Sequence, residues 1–92
     1  MKETRITVLY FAAASTATGL TSEVVAIPNS DKDPFRLSSL GSLLAARHPR
    51  TTLAQVLEGS KWCVNEEMVD EPEEIVLRGG EEVAIICPVS GG

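Results

Sequence analysis

The last two residues of the chain, Gly91 and Gly92, are those whose type and position most clearly suggest chemistry. Glycine has no Cβ, so a Gly-Gly end tolerates backbone angles that other residues avoid and has the smallest cross-section of any peptide. A β-branched, apolar run over residues 82–87 precedes it, and Pro88, which has no N–H to donate, ends the predicted strand. The pattern predicts a flexible tail, residues 88–92, that delivers a carboxylate into a narrow channel; a frayed end without a role is the alternative.

The other candidate reactive groups favour structural roles. His48, the only histidine, precedes a proline at the end of a predicted helix and has no acid or base partner in view, so we interpret it as a surface or C-capping residue. Cys63 and Cys87 form neither a CxxC pair nor a metal-ligand set, which predicts reduced, half-buried thiols. Acidic pairs lie among prolines and glycines, where solvated turns that could face a basic partner are favoured over catalytic carboxylates. We predict no catalytic machinery and no metal site in this chain.

Length and charge narrow the classes of function. The 92 residues suffice for a single domain, residues 1–92, with a small core. Thirteen acidic and eight basic residues give a net charge of −5, which argues against nucleic-acid binding and favours a basic partner surface. The apolar run near the amino terminus has the outline of a secretory signal, but Glu3 and Thr7 interrupt it and it is too short to span a bilayer. We expect a cytosolic protein that contacts no membrane.

The amino-terminal third predicts a hairpin followed by a loop. Alternating apolar residues predict a first strand over residues 5–12. Residues 13–22 are small and polar and predict a turn segment, after which residues 23–27 return to β-branched character. Residues 29–34 predict a loop that is long enough to be a surface insertion.

A helix and several short elements are predicted next. Four leucines at three-to-four spacing form one helical stripe, with Ser38 or Ser39 as its cap and Pro49 beyond its end. The stripe consists of Leu37, Leu40, Leu43 and Leu44. The further predictions are a helical turn over residues 53–57 between Thr52 and Gly59, strands at 61–64 and 68–69, a core segment at 75–77, a turn at Gly79-Gly80 and a closing strand covered on both faces.

This order of elements predicts an α+β fold. A hairpin, a helix across one face and a closing strand make a β-grasp roll with a mixed sheet, one main helix and a protruding Gly-Gly tail. The connection between the first and last strands is nearly the whole chain, so these two strands are expected to be parallel neighbours at the sheet's centre.

Three segments carry a resemblance to a known family. The sequence is similar to the ubiquitin-like sulfur carriers that form the small subunit of molybdopterin synthase. The similarity spans the chain in order, and its closing segment is the specific part. The segments are Val8-Leu9-Tyr10-Phe11-Ala12, Val64-Asn65 with the following turn, and the run from Gly80 through Glu-Glu-Val-Ala-Ile-Ile-Cys-Pro-Val-Ser to Gly91-Gly92.

The resemblance implies a sulfur carrier. A ubiquitin-activating-like adenylyltransferase and sulfurtransferase would use ATP to adenylate Gly92 and convert it to a thiocarboxylate. The tail would then enter the large subunit, in an assembly of two small and two large subunits, and give sulfur to cyclic pyranopterin monophosphate. The chain itself would bind no cofactor. The implied catalytic positions are Gly91 and Gly92, and the implied partner-binding positions are Ile86, Cys87, Pro88, Val89 and Ser90.

The sequence departs from this family at three places. Cys87 stands where proline is usual, the stretch after Ala12 lacks an acidic residue often seen there, and the loop over residues 29–36 is longer. None of these changes affects the terminal glycines. The alternatives are a sulfur carrier for thiamine synthesis or tRNA thiolation, a ubiquitin-like protein modifier, and a β-grasp interaction module with an incidental Gly-Gly end.

Overall fold

The computed structural model of the chain describes residues 4–28 and 34–87. Within these ranges the chain forms five strands, three α-helices and a 3₁₀ turn at Pro72–Glu74. The strands are β1 (Thr4–Tyr10), β2 (Ser22–Ile27), β3 (Lys61–Val64), β4 (Glu67–Val69) and β5 (Glu82–Ile86). The helices are α1 (Ala12–Thr18), α2 (Leu37–Arg47) and α3 (Leu53–Glu58). The predicted loop over residues 29–34 lies, except for Pro34, outside the described residues.

The closing strand, β5, is the middle strand of one five-stranded sheet with the order β2-β1-β5-β3-β4. It runs parallel to β1, from Thr7 opposite Glu82 to Tyr10 opposite Ile85, and antiparallel to β3. β2 pairs antiparallel with β1, and β4 with β3. The prediction that the first and last strands are parallel neighbours is confirmed, and the mixed sheet has the β-grasp order.

The hydrophobic core lies between one face of the sheet and the helices. Three leucines of the predicted stripe and two residues of β5, Val83 and Ile85, are fully buried there. The buried leucines are Leu37, Leu40 and Leu44, with Leu43 half-buried beside them. Burying one such side chain contributes about 1.5–3 kcal/mol, so this layer is the main stabilising contact. The expectation that β5 is covered on both faces holds at Ala84, which is buried on the other face, and is wrong at Ile86, which is 36% exposed.

Residues 13–22, predicted as a turn segment, contain most of helix α1, so this prediction is wrong. Four of the seven residues of α1 are alanine, the residue with the highest helix propensity. Ala14 is fully buried, so packing adds to that propensity. The helix ends at Gly19, whose φ of 74° is left-handed and whose N–H donates to the Ser15 carbonyl.

The start of helix α2 also differs from the prediction. Ser38 and Ser39 lie inside the helix, Arg36 occupies the N-cap, and no side chain caps it. Instead, the Leu37 N–H donates to the Ile75 carbonyl at 2.8 Å, so the backbone of the core-packed segment takes the place of a side-chain cap. Three other boundaries follow the predictions: α2 ends at the C-cap His48, α3 lies between Thr52 and Gly59, and β3 covers residues 61–64. The first strand, predicted to run to residue 12, ends at Tyr10, because helix α1 begins at Ala12.

A tight turn at Gly79 and Gly80 sets where β5 begins. Their φ angles are 113° and 86°, values that strongly favour glycine. The Glu81 carboxylate accepts hydrogen bonds from the backbone N–H groups of Arg78 and Gly79 at 2.8 and 2.7 Å. The Gly80 N–H donates to the Arg5 carbonyl at 2.7 Å, which joins the turn to β1. These bonds fix the register of β5 against β1.

Replacing Gly79 with alanine should destabilise the fold. An added Cβ would lie 3.0 Å from Thr4 Cγ2, and the positive φ is strained for any L side chain. We expect Gly79→Ala to lower the free energy of unfolding by about 1–3 kcal/mol. Gly59→Ala is the control, because Gly59 has a φ of −101° and open space around it, and it should change stability by less than about 1 kcal/mol. Urea unfolding measures both, and equal losses would contradict the role of this turn.

Candidate functional site

The structure describes the base of the predicted tail. Of the predicted site residues, Ile86 is the last residue of β5 and Cys87 follows it directly. The rest of the predicted site lies outside the described residues. These residues are Pro88, Val89, Ser90, Gly91 and Gly92.

Strands on both sides hold β5 as far as Ile85, and β3 alone holds its last residue, Ile86. Ile85 lies opposite Tyr10 of β1 and opposite Trp62 of β3, and all three are buried. Ile86 is paired with Lys61 of β3. A central strand opens only when the domain unfolds, so the point from which the tail departs is fixed relative to the core.

Cys87 packs at the edge of the core beside the start of α1. Its side chain is half-buried, and its Sγ donates a weak hydrogen bond to the Phe11 carbonyl at 3.4 Å. Cys63 is also free and half-buried. It lies opposite Ala84, whose side chain points to the other face of the sheet from Ile85. The sequence prediction of half-buried thiols is therefore confirmed, and Cys87 acts as a small packing residue at the edge of the core.

The sheet face turned away from the helices is apolar near the tail. We call it the open face. Its residues are Leu9, Ala84, Cys63 and Met68, which lie opposite one another across four strands, together with Phe11 and Ile86. Met68 is 55% exposed and Phe11 48%, both large apolar side chains. Large apolar side chains exposed on one face of a sheet mark interaction surfaces, so the open face, on which Phe11, Met68 and Ile86 are exposed, is a candidate partner interface beside the base of the tail.

A polar network around Glu23 was missed in the sequence. Tyr10 Oη donates to Glu23 Oε1 at 2.7 Å, and His48 Nε2 lies 3.1 Å from the same oxygen. Arg47 donates to Glu23 Oε2 through Nη2 at 2.8 Å and Nε at 3.3 Å. His48 is a C-cap, as predicted, but it does have an acidic partner. The sequence feature that could have indicated this network is the alternation of side chains between the two faces of a strand. This alternation places Glu23 on the same face of β2 as the core residue Val25.

The network joins β1, β2 and the end of α2. Burial by itself raises the pKa of a carboxyl group, but hydrogen bonds from Arg47, Tyr10 and His48 outweigh it and hold the pKa of Glu23 at about 2. Burial and the bond to Glu23 raise the pKa of Tyr10 above its ordinary value. At neutral pH Glu23 is therefore an ionised carboxylate that accepts a hydrogen bond from the neutral phenol of Tyr10. Because Tyr10 lies opposite Ile85, the network stabilises the strand end that holds the base of the tail.

Two further observations concern the described ranges only. Residues 4–28 and 34–87 contain no cluster of three histidine, cysteine or acidic side chains that could hold a metal ion. No helix in the same ranges is both long and apolar enough to cross a membrane.

Because of Glu23, the stability of the fold should fall at acid pH. Its folded pKa of about 2 lies below the ordinary value of 4.5, so its contribution is complete above about pH 5 and is lost as pH falls from 4.5 toward 2. Allowing for solvent screening, we expect a contribution on the order of 2 kcal/mol. Glu23→Gln should lower stability at pH 6 and converge with wild type near pH 2. Glu58→Gln on α3 is the control; parallel pH curves for Glu23→Gln and wild type would contradict this role.

Comparison with known proteins identifies the family. The sequence matches the ThiS family over residues 8–92. It is 42% identical over 89 residues to the molybdopterin synthase sulfur carrier subunit of Mycosarcoma maydis, covering 95% of this chain and 92% of that protein. The human protein of the same name is 35% identical over 89 residues, covering 96% of this chain and 94% of that protein.

A solved structure has the same fold. One chain of the complex of subunits 1 and 2 of the molybdopterin-converting factor from Helicobacter pylori aligns with a TM-score of 0.60 and 19% identity, covering 96% of this chain and 99% of that one. This likeness supports the ubiquitin-like β-grasp fold, and the sequence matches confirm the resemblance inferred from the residues. The chain belongs to the ThiS family, together with the molybdopterin synthase sulfur carrier subunits.

Proposed function

We propose that this chain is the sulfur carrier subunit of a molybdopterin synthase and that Gly92 carries the sulfur. Support comes from the two relatives of that name, which align over nearly the full length of this chain. The observation that carries the proposal is a Gly-Gly carboxyl terminus six residues beyond the end of the central strand, which begins at residue 82 and ends at Ile86. Five residues, 88–92, can extend at most about 18 Å from Cys87.

The proposed chemistry uses the terminal carboxylate. A carboxylate is a poor electrophile, so an oxygen of Gly92 first attacks the α-phosphorus of ATP on a ubiquitin-activating-like enzyme, and pyrophosphate leaves. A persulfide sulfur then attacks the acyl carbon of the adenylate, and AMP leaves. A second thiol cleaves the resulting acyl disulfide, which releases the thiocarboxylate and forms a disulfide on the donor side. The thiocarboxylate supplies sulfur to cyclic pyranopterin monophosphate, and this chain binds no cofactor of its own.

The large subunit of molybdopterin synthase is the proposed partner. The solved Helicobacter pylori chain of the same fold is in complex with a second subunit of molybdopterin-converting factor. In this chain the open face places exposed Phe11 and Ile86 next to the departure point of the tail, so one partner could cover that face and receive the tail. We propose contacts along Ile86, Cys87, Pro88, Val89 and Ser90, and an assembly of two small and two large subunits. The large subunit supplies the catalytic groups.

A reducing compartment suits this role. A thiocarboxylate is itself a thiol-like nucleophile, and Cys63 and Cys87 are free. Disulfides persist in oxidising compartments and are rare in the cytosol. We therefore propose that the protein acts in the cytosol.

Changes at the tip of the tail should abolish sulfur transfer and leave the fold intact. Gly91→Val adds a branched side chain where the backbone must pass, and one alanine added after Gly92 moves the carboxylate out of place. Misplacement by about 1 Å can cost about 100-fold, so we expect at least that loss of molybdopterin formation. The described core ends at Cys87, so stability should change by less than about 0.5 kcal/mol.

The measurements are melting temperature, binding to the large subunit and molybdopterin formation. One alanine added at the amino terminus is the matched control and should leave all three unchanged. Normal molybdopterin formation by either altered tail would contradict the proposal. Wild-type protein that thiolates tRNA or a thiamine precursor, or becomes attached to lysines of other proteins, while forming no molybdopterin, would identify one of the alternative functions instead.

A further inference from the structure

A groove lies between strand β4 and the 3₁₀ turn, near the β3–β4 hairpin. Its volume is about 640 Å³. The apolar side chains that line it include Val64, Val69 and Ile75, which are half-buried and pack against the edge of the core. The sulfur-carrier site described above is built on β5, whereas the groove runs along β4, and β3 lies between these two strands. The groove therefore has an apolar floor that is open to a further contact.

The rim of the groove is acidic. Glu67, Asp70, Glu71 and Glu74 line it, and all four are exposed. No basic residue lines it in the part of the chain that the structure describes. Arg36 Nη1 donates to the Glu73 carbonyl at 2.9 Å, which is a backbone oxygen and not a carboxylate of the rim. The rim therefore carries negative charge that a basic partner would complement.

Strand β4 offers a free edge along this groove. It is the last strand of the sheet and pairs only with β3 among the described residues. The hairpin between them has two turn residues, Asn65 and Glu66, with φ of 49° and 71°, the signature of a type I′ turn. In such a hairpin the residues that flank the turn, Val64 and Glu67, form a hydrogen-bonded pair.

Hydrogen-bonded and non-hydrogen-bonded pairs alternate along the two strands, and this alternation sets the direction of the backbone groups of Met68. Because Val64 and Glu67 are hydrogen-bonded, the next pair, Cys63 and Met68, is not. The N–H and carbonyl of Met68 therefore point away from β3. No hydrogen bond from the described residues reaches them. An extended peptide can pair with such an edge through its main chain.

We propose that this groove binds an extended segment of a partner protein in which lysine or arginine residues flank an apolar side chain. The segment adds to β4 as a further strand, its apolar side chain rests on the floor formed by Val64, Val69 and Ile75, and its basic side chains face the rim. Two copies of this chain are poor occupants for each other, because each carries a net charge of −5. The inference does not rest on the proposed function, and Met68 is the one residue that the groove shares with the open face.

The test is a titration of the ¹⁵N-labelled full chain at low salt with the peptide acetyl-Lys-Val-Lys-Val-Lys-amide, followed by NMR. The expected result is a set of saturable shifts at Met68, Val69 and Ile75, with no such shifts from the matched Glu-Val-Glu-Val-Glu peptide. Glu71→Gln/Glu74→Gln should weaken binding about fivefold to tenfold. The control Glu58→Gln on α3 removes a charge that does not line the groove, and binding should stay within about twofold of wild type.

A second pair of variants tests the strand edge. Met68→Pro removes an N–H that points away from β3, so it should keep the sheet and abolish peptide binding, whereas Met68→Ala should keep both. If Met68→Pro fails to fold, the carboxylate variants decide the question alone. The proposal would be overturned if the acidic peptide bound equally well or if the groove and control charge variants weakened binding equally. It would also be overturned if calcium chloride alone gave the same shifts, or if the shifts depended on protein concentration without peptide.

Discussion

The pairing of β5 with β1 on one side and β3 on the other is the constraint on which the rest of the structure depends. A strand in this position is released only when the domain unfolds, so its last residue is held as firmly as the core. Each end of the pairing has its own support. The Gly79-Gly80 turn, bonded to the Arg5 carbonyl, sets the start of β5, and the Glu23 network stabilises the end of β1 opposite Ile85.

The same pairing fixes the part of the chain that precedes the end proposed to carry the sulfur. The proposed chemistry at Gly92 needs a carboxylate that reaches into another protein. It also needs an attachment point for the tail that stays in place during the reaction. Residues 82–87 provide that attachment point. The open face lies beside these residues, whereas the acidic groove runs along β4, with β3 between it and β5. A small single domain can in this way present two surfaces that share only Met68, because the sheet holds both at fixed positions.

Features set by local pattern could be predicted from the sequence. The bounds of β3 and α3 and the glycine turn could be predicted from β-branched runs, from the spacing of apolar residues, and from the Gly and Pro residues that end helices and strands. Helix α1 was missed because alanine, serine and threonine suit turns as well as helices, and the burial of Ala14 and packing against α3 decide between them. The partners of Glu23 lie far away in sequence, at the end of α2, so only the tertiary fold brings them together. The tail residues themselves lie outside the described ranges.

The most direct test of the central claim is the intact mass of the chain purified from its own cells, beside the same chain from cells that lack the activating enzyme. The account predicts that a fraction of the first sample is heavier by the difference between one sulfur and one oxygen atom, and that fragmentation places the change on Gly92. The second sample should carry only the carboxylate. A chain that bears the carboxylate alone in both samples, or a sulfur placed on Cys63 or Cys87, would contradict a sulfur-carrying carboxyl terminus.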